Sequence, residues 1–197
     1  MGRWEPDAGG RFRMAAMELF VEHGYEQTTV ADIAERAGLT ARTFFRHFAD
    51  KREVLFSGAE QLQRTMVDAL DGAPAPSTPI EAIEAALAAT AGFFEDNREF
   101  ARRRSSVIEA NAELRERELI KLATLSAALA EGLRRRGVAE PDASLAAEAG
   151  MAVFRVAFAS WVAAAEPRSF RAILRASLAR LQALAASGPS PGKARKN

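Results

Sequence analysis

One short stretch of the chain is rich in basic side chains. Between residues 40 and 52 the sequence holds a single acidic residue, Asp50, and four basic residues: Arg42, Arg46, Lys51 and Arg52. Arg and Lys bind phosphate through charge-assisted hydrogen bonds, and the planar guanidinium group also fits the hydrogen-bonding edges of bases. Arg42 and the neighbouring Thr43 suit contacts with base edges, and Lys51 suits a contact with phosphate. This stretch is therefore suited to binding a polyanion such as a nucleic acid.

The residue types that most other chemistry needs are scarce. The sequence contains no Cys, which excludes disulfides, thiolate zinc sites and Cys nucleophiles. It contains only two His, His23 and His47. It has no Glu-x-x-His or His-x-x-x-His metal pair. A catalytic mechanism would have to use a buried acid such as Glu109, Glu113 or Glu148 without a visible partner. We therefore expect no enzyme activity, no cofactor and no metal.

The elements that position the basic stretch are predicted to be helices throughout. The 197 residues are 48% apolar, with 27 Lys and Arg against 26 Asp and Glu, which is typical of a globular chain with a buried core. Alternating strand patterns are nearly absent, and apolar residues recur at intervals of three and four. The pattern predicts an all-α fold of about nine helices.

Capping residues divide the first part of the chain into three helices. The first is predicted over residues 10–23, with Gly24 as its left-handed cap. Thr29, with Asp32 three residues later, predicts a capping box at the start of a second helix over residues 30–37. Gly38 ends that helix, and Thr40 caps a third helix over residues 41–47. Two short helices around such a turn predict a helix-turn-helix.

The remaining helices form the second part of the chain. A fourth helix is predicted to run without interruption from Asp50 to Leu70. Further helices are predicted at residues 79–96, 98–110, 112–136, 142–165 and 168–186. We expect a DNA-binding domain at 10–56, a ligand-binding and dimerisation domain at 57–186, and a disordered basic tail at 187–197.

No segment predicts membrane insertion or export. The most apolar segment, residues 143–165, is interrupted by Glu148 and Arg155. The first residues contain no apolar run of the kind that a secretory signal needs. We therefore expect a cytoplasmic protein without a membrane partner.

The run from Thr28 to Leu55 supports a more specific interpretation. Its sequence, TTVADIAERAGLTARTFFRHFADKREVL, closely resembles the DNA-binding signature of the TetR/AcrR family of bacterial repressors. The resemblance implies that residues 33–37 belong to the positioning helix and residues 40–47 to the recognition helix, which lies in the major groove. Phe45 departs from the family pattern, which usually has Tyr, so a hydroxyl bond to phosphate is lost and Arg42 or Arg46 would supply that anchor. The predicted DNA-binding residues are Thr29, Thr40, Arg42, Thr43, Phe45, Arg46, His47 and Lys51.

Reading a palindromic operator requires two copies of such a domain, so we expect a homodimer on double-stranded DNA. The last helix carries a continuous apolar stripe, and the helix before it offers small residues that permit close packing. Both stripes could instead face the subunit's own core, but their combined width favours a partner. The predicted interface consists of Ala146, Gly150, Phe170, Ile173, Leu174, Leu178 and Leu181.

The middle helices are expected to hold a small effector. Aromatic residues and Met cluster there, although such residues also form ordinary core, and Arg102–Arg104 lie beside them in the sequence. Residues 97–165 resemble, more loosely, the acyl-CoA-responsive subgroup that includes the mycofactocin regulators, which makes a fatty acyl-CoA the specific hypothesis. The predicted pocket consists of Phe93, Phe94, Phe100, Arg103, Arg104, Val107, Ile108, Leu122, Met151, Phe154, Phe158 and Trp161.

These features favour a ligand-responsive repressor that releases its operator when the effector binds. The alternative is a helical protein-interaction module without sequence-specific DNA binding.

Overall fold

The computed structural model describes residues 8–186, so the predicted tail at 187–197 lies outside the described residues. Within that range the chain forms eleven α-helices and no strand. The first four are α1 (Ala8–Glu22), α2 (Val30–Arg36), α3 (Ala41–His47) and α4 (Glu53–Phe56). They are followed by α5 (Ala59–Asp71), α6 (Pro79–Ala89), α7 (Ala91–Phe94), α8 (Arg98–Ala110), α9 (Ala112–Arg135), α10 (Asp142–Ala163) and α11 (Phe170–Ala186). The all-α fold predicted from the sequence is confirmed.

Two of the predicted helices are each broken into two. The helix predicted from Asp50 to Leu70 is interrupted at Ser57 and Gly58, where the Ser57 hydroxyl donates to the Val54 carbonyl oxygen at 3.1 Å. The helix predicted over residues 79–96 is interrupted at Thr90, whose buried hydroxyl donates to the Leu87 carbonyl oxygen at 2.7 Å. Side-chain bonds of this kind compete with the helical ladder, which explains both breaks.

The predicted caps are confirmed. Thr29 and Asp32 form a capping box at α2, and Thr40 accepts from the Thr43 amide at α3. Gly24 and Gly38 end α1 and α2 with φ of +85° and +64°, a left-handed conformation that favours glycine.

The chain folds into two compact units. The first consists of the residues up to Arg64 together with Asn97–Leu125. Its core is built around Phe12, which meets the Phe44 ring edge-on at 5.2 Å, with Phe48 beside both rings. The second unit consists of Thr65–Asp96 and the residues from Ser126 onward. Its core is formed where α6, α10 and α11 pack together.

Candidate nucleic-acid interface

The short helix α3 has one buried face and one exposed face. Phe44 is completely buried, whereas the next residue, Phe45, exposes 59% of its surface. Arg42 and Arg46 are exposed on the same side as Phe45, at helical spacing, and neither has an ion pair or hydrogen bond among the described residues. An exposed aromatic ring between two unpaired guanidinium groups forms a surface suited to phosphates and base edges.

The threonines at the helix ends act mainly as caps. The Thr29 hydroxyl accepts from the Asp32 amide at 3.2 Å, and the Thr40 hydroxyl accepts from the Thr43 amide at 3.1 Å. His47 is exposed, and its ring lies 6.3 Å from that of Phe12. These residues shape the surface of α3, and their contact with DNA stays a prediction.

Arg11 fixes the turn between α2 and α3. Its guanidinium group donates to the carbonyl oxygen of Ala37 at 2.5 Å and lies 3.4 Å from that of Gly38. A methyl group added at Gly38 would meet the same guanidinium nitrogen at 3.0 Å. A cation at the carbonyl end of a helix is favoured by the helix dipole. Sequence periodicity gives no sign of this role for Arg11, because its partners lie 26 and 27 residues away.

Lys51 holds the loop that precedes α2. Its ammonium group donates to the carbonyl oxygens of Tyr25 and Thr28 at 2.9 and 3.2 Å and lies 4.2 Å from the centroid of the Tyr25 ring. The Tyr25 hydroxyl in turn donates to Glu113 at 2.6 Å. Burial and this hydrogen bond raise the pKa of Tyr25 above its ordinary value of 10.0, so the phenol stays a donor. Lys51 is thus bound by the loop, and its contact with phosphate stays a prediction.

A second set of ionic contacts holds α4. Arg104 donates to the Leu55 carbonyl oxygen at 2.8 Å and to Glu118 at 3.0 Å, and it lies over the Phe56 ring. Burial lowers the pKa of Arg104, an effect that Glu118 opposes. Glu53, at the start of α4, accepts from Arg117 at 2.7 Å. Arg104 was predicted to belong to the ligand pocket, and in the structure it anchors α4.

The predicted ligand-pocket residues fall into two groups. Phe100, Arg103, Arg104, Val107, Ile108 and Leu122 belong to the first unit, and Phe93, Phe94, Met151, Phe154, Phe158 and Trp161 to the second. In the second unit Phe94 lies 5.2 Å from Phe158 and 5.5 Å from Phe170, centroid to centroid. The aromatic residues therefore form a packed cluster, and their role as a ligand pocket stays a prediction.

Most of the residues predicted to face a partner copy face the subunit's own core instead. Phe170 is completely buried, and Ile173, Leu174, Leu178 and Ala146 are at most 7% exposed. A methyl group at Gly150 would come within 2.5 Å of the Ile83 Cγ2 atom, so Gly150 serves contact between α10 and α6. Only Leu181 is partly exposed. The predicted stripe therefore belongs to the core of the second unit because α6 covers it.

A different apolar face of α10 and α11 is exposed. On α10 the exposed or half-exposed positions at helical spacing are Leu145, Ala149, Ala152, Val156, Ala159 and Ala163. On α11 they are Ala172, Ala176, Ala179, Ala183 and Leu184. Leu145 and Val156 each expose 64% of their surface. The length and apolar composition of α10 would allow it to cross a membrane, but half of its most apolar stretch is buried inside the protein.

An open cleft of about 520 Å³ lies within the first unit. Its walls are the segment from Phe20 to Gln27 and the face of α8 from Glu99 onward to Asn111. Two predicted pocket residues, Arg103 and Val107, line it, together with Arg102.

Comparison with known proteins agrees with this geometry. Residues 14–57 match the family model described as bacterial regulatory proteins of the tetR family, and residues 77–186 match that of the MftR C-terminal domain. The regulator TcmR of Streptomyces glaucescens is 42% identical over 81 residues, which are 41% of this chain and 36% of that protein. MftR of Mycobacterium tuberculosis, named for regulating mycofactocin biosynthesis, is 31% identical over 121 residues, 61% of each chain.

Structural similarity extends further along the chain than sequence similarity. The repressor FadR of Thermus thermophilus, solved with lauroyl-CoA, superposes with a TM-score of 0.57 at 24% identity and covers 93% of this chain and 99% of its own. At that identity the likeness concerns the fold. The chain spans between 36% and 61% of the length of the two curated relatives described above.

Proposed function

The chain belongs to the tetR family of bacterial regulatory proteins, and we propose that it acts in the cytoplasm as a dimeric repressor that an effector releases from a palindromic operator. The observation that carries this proposal is the exposed face of α3. Two unpaired guanidinium groups flank an exposed phenylalanine there, while caps and Arg11 fix the helix in place. On a helix that stays in water, the 59% exposed ring of Phe45 would have no partner to pack against. In the major groove the same ring can pack on a thymine methyl group.

The proposed dimer forms through the exposed apolar face of α10 and α11. A second copy of this chain suits that face because its small residues let helices approach closely, with Leu145 and Val156 as the larger contacts. In this dimer the partner copy covers the exposed apolar residues of α10. That burial explains why the helix is as apolar as a membrane helix. Two copies would present two recognition helices to two half-sites of the operator.

A fatty acyl-CoA is the proposed effector. The match to the MftR C-terminal model and the likeness to a FadR structure solved with lauroyl-CoA support this chemistry. Arg102, beside apolar residues on α8, suits an effector with an apolar chain and an anionic head. Release requires that effector and operator prefer different states of the protein, so each must weaken the binding of the other.

The proposed link between effector and operator is α4. Arg104 on α8 donates to the Leu55 carbonyl oxygen of α4, and Arg117 on α9 donates to the Glu53 carboxylate, so a shift of α8 or α9 would be transmitted to α4. The break at Ser57 and Gly58 separates α4 from α5.

Selection of fragments from the protein's own genome tests the function. Purified protein is mixed with sheared genomic DNA, and the bound fragments are sequenced. The repressor proposal expects a short palindrome upstream of a few genes. Uniform recovery that is lost at moderate salt would favour the interaction module, because non-specific binding depends on phosphate charge alone.

A further inference from the structure

The cleft of the first unit has the size of a small-molecule site. Its volume of about 520 Å³ lies in the range of about 300–1,000 Å³ that ligand sites occupy. Val21, which lines the cleft, exposes 55% of its surface, and Val107 lines it as well. Removing this apolar surface from water is favourable, so a ligand that covers it gains binding free energy.

The charged groups of the cleft differ in their partners. Arg103 pairs with Glu99 at 2.9 Å, so their charges compensate each other. Arg102 is exposed and makes no hydrogen bond or ion pair among the described residues. It is therefore available to an anionic group. Glu26 and Gln27, on the opposite wall, offer acceptors for amide or amino groups of the same ligand.

The wall opposite α8 is the loop that positions the DNA-binding helices. The carbonyl oxygens of Tyr25 and Thr28 in this loop accept from Lys51, and the next residue, Thr29, caps α2. A ligand in the cleft would therefore contact a segment that leads directly into the helix-turn-helix.

We propose that this cleft binds the phosphate-bearing end of the effector, with Arg102 as its anion ligand. The occupant is a coenzyme A moiety, which combines phosphates for Arg102 with amide and amino donors for Glu26 and Gln27. This inference rests on the proposed acyl-CoA response and assigns it a site. Binding on the loop side lowers operator affinity by altering the segment before α2.

Fluorine NMR provides a local readout, because Tyr25 is the single tyrosine of the chain and it lines the cleft. Protein labelled with 3-fluorotyrosine gives one protein resonance, which is followed during titration with coenzyme A, lauroyl-CoA and laurate. The variants are Arg102→Gln, which removes the free charge, and Ser106→Trp, which fills the cleft from an exposed position. The matched control is Arg64→Gln, an exposed Arg of the same unit outside the cleft.

If the cleft binds the coenzyme A moiety, coenzyme A and lauroyl-CoA should each change the chemical shift of the resonance. Laurate alone should leave the chemical shift unchanged. Arg102→Gln weakens binding of coenzyme A at least about tenfold, Ser106→Trp abolishes it, and Arg64→Gln binds as wild type does. If lauroyl-CoA raises the thermal midpoint of all variants equally, the effector proposal stands and the cleft assignment fails. If laurate binds and coenzyme A does not, the assignment also fails. If none of the three compounds shifts either the resonance or the midpoint, the acyl-CoA effector itself is wrong, and the cleft assignment with it.

Discussion

The ammonium group of Lys51 donates to the backbone carbonyl oxygen of Tyr25 at 2.9 Å and lies 4.2 Å above the ring of the same residue. Residue 51 follows the recognition helix and residue 25 precedes the positioning helix. This one contact therefore joins the segments at the two ends of the helix-turn-helix. The geometry makes Lys51 a positioning residue, whatever contact it also makes with DNA.

Replacing Lys51 by Met should therefore destabilise the protein without DNA. We expect a loss of about 1–3 kcal/mol in the free energy of unfolding, because hydrogen bonds from a charged donor to the carbonyl oxygens of Tyr25 and Thr28 are removed. The measurement is urea unfolding followed by circular dichroism. Arg46→Met is the control, since Arg46 is exposed and unpaired, and it should change stability by less than about 0.5 kcal/mol. Equal stability of the two variants would show that Lys51 does not act as a clamp.

Gly150→Ala should destabilise the second unit even though alanine favours a helix by about 1 kcal/mol. The added methyl group would come within 2.5 Å of the Ile83 Cγ2 atom, and such overpacking costs about 1–3 kcal/mol. A double-mutant cycle with Ile83→Ala tests the cause, because removal of Cγ2 should make Gly150→Ala much less harmful. An equal cost of Gly150→Ala in both backgrounds would contradict this packing.

The capping box of α2 should make stability depend on pH. Hydrogen bonds from the Thr29 amide and hydroxyl lower the pKa of Asp32 below its ordinary value of 3.8. A carboxyl whose pKa is lower in the folded state stabilises the fold above the unfolded value, and that contribution is lost as pH falls through the folded value. Asp32→Asn should thus be less stable than wild type at pH 7, with a difference that shrinks below about pH 4. Thermal melts at several pH values measure this, and a difference that stays constant down to pH 3 would contradict it.

Val156→Glu should convert the protein to a monomer. The substitution places a charge in the middle of the proposed dimer face, where Val156 is 64% exposed in the single chain, so the subunit itself should stay folded. Light scattering after size-exclusion chromatography gives the mass, and circular dichroism checks the helices. Met14→Glu is the control at another exposed apolar position and should leave the dimer intact. A dimeric Val156→Glu variant would place the interface elsewhere.

The local features of the fold could be predicted because neighbours in sequence determine them. Thr29 and Thr40 cap their helices through residues three positions later, and Gly24 and Gly38 end helices by a conformation that other residues rarely adopt. The alternation of buried Phe44 with exposed Phe45 follows from helical periodicity alone.

The features that the sequence analysis missed depend on partners distant in sequence. Arg104 reaches Leu55 across 49 positions and Arg117 reaches Glu53 across 64, and an Arg on a helix gives no local sign of such a role. Most residues of the predicted dimer face are buried in the subunit's own core, and the sequence did not indicate this because both faces of α11 are apolar. Its larger residues, such as Phe170 and Leu174, lie in the core, and its alanines are exposed. The packing of α6 and α10 against α11 distinguishes the two faces.

The central claim is that α3 reads DNA sequence. It is tested most directly with two proteins, the wild type and an Arg42→Gln/Phe45→Ala variant. For each protein the affinity is measured for the genome-selected palindrome and for a scrambled duplex. Both substitutions lie at exposed positions, so the variant should unfold at the same temperature as wild type. Fluorescence anisotropy at two salt concentrations should show wild type preferring the palindrome by about 10³-fold or more, and the variant should lose that preference. Equal binding of both duplexes by wild type, or an unchanged preference in the variant, would contradict the account.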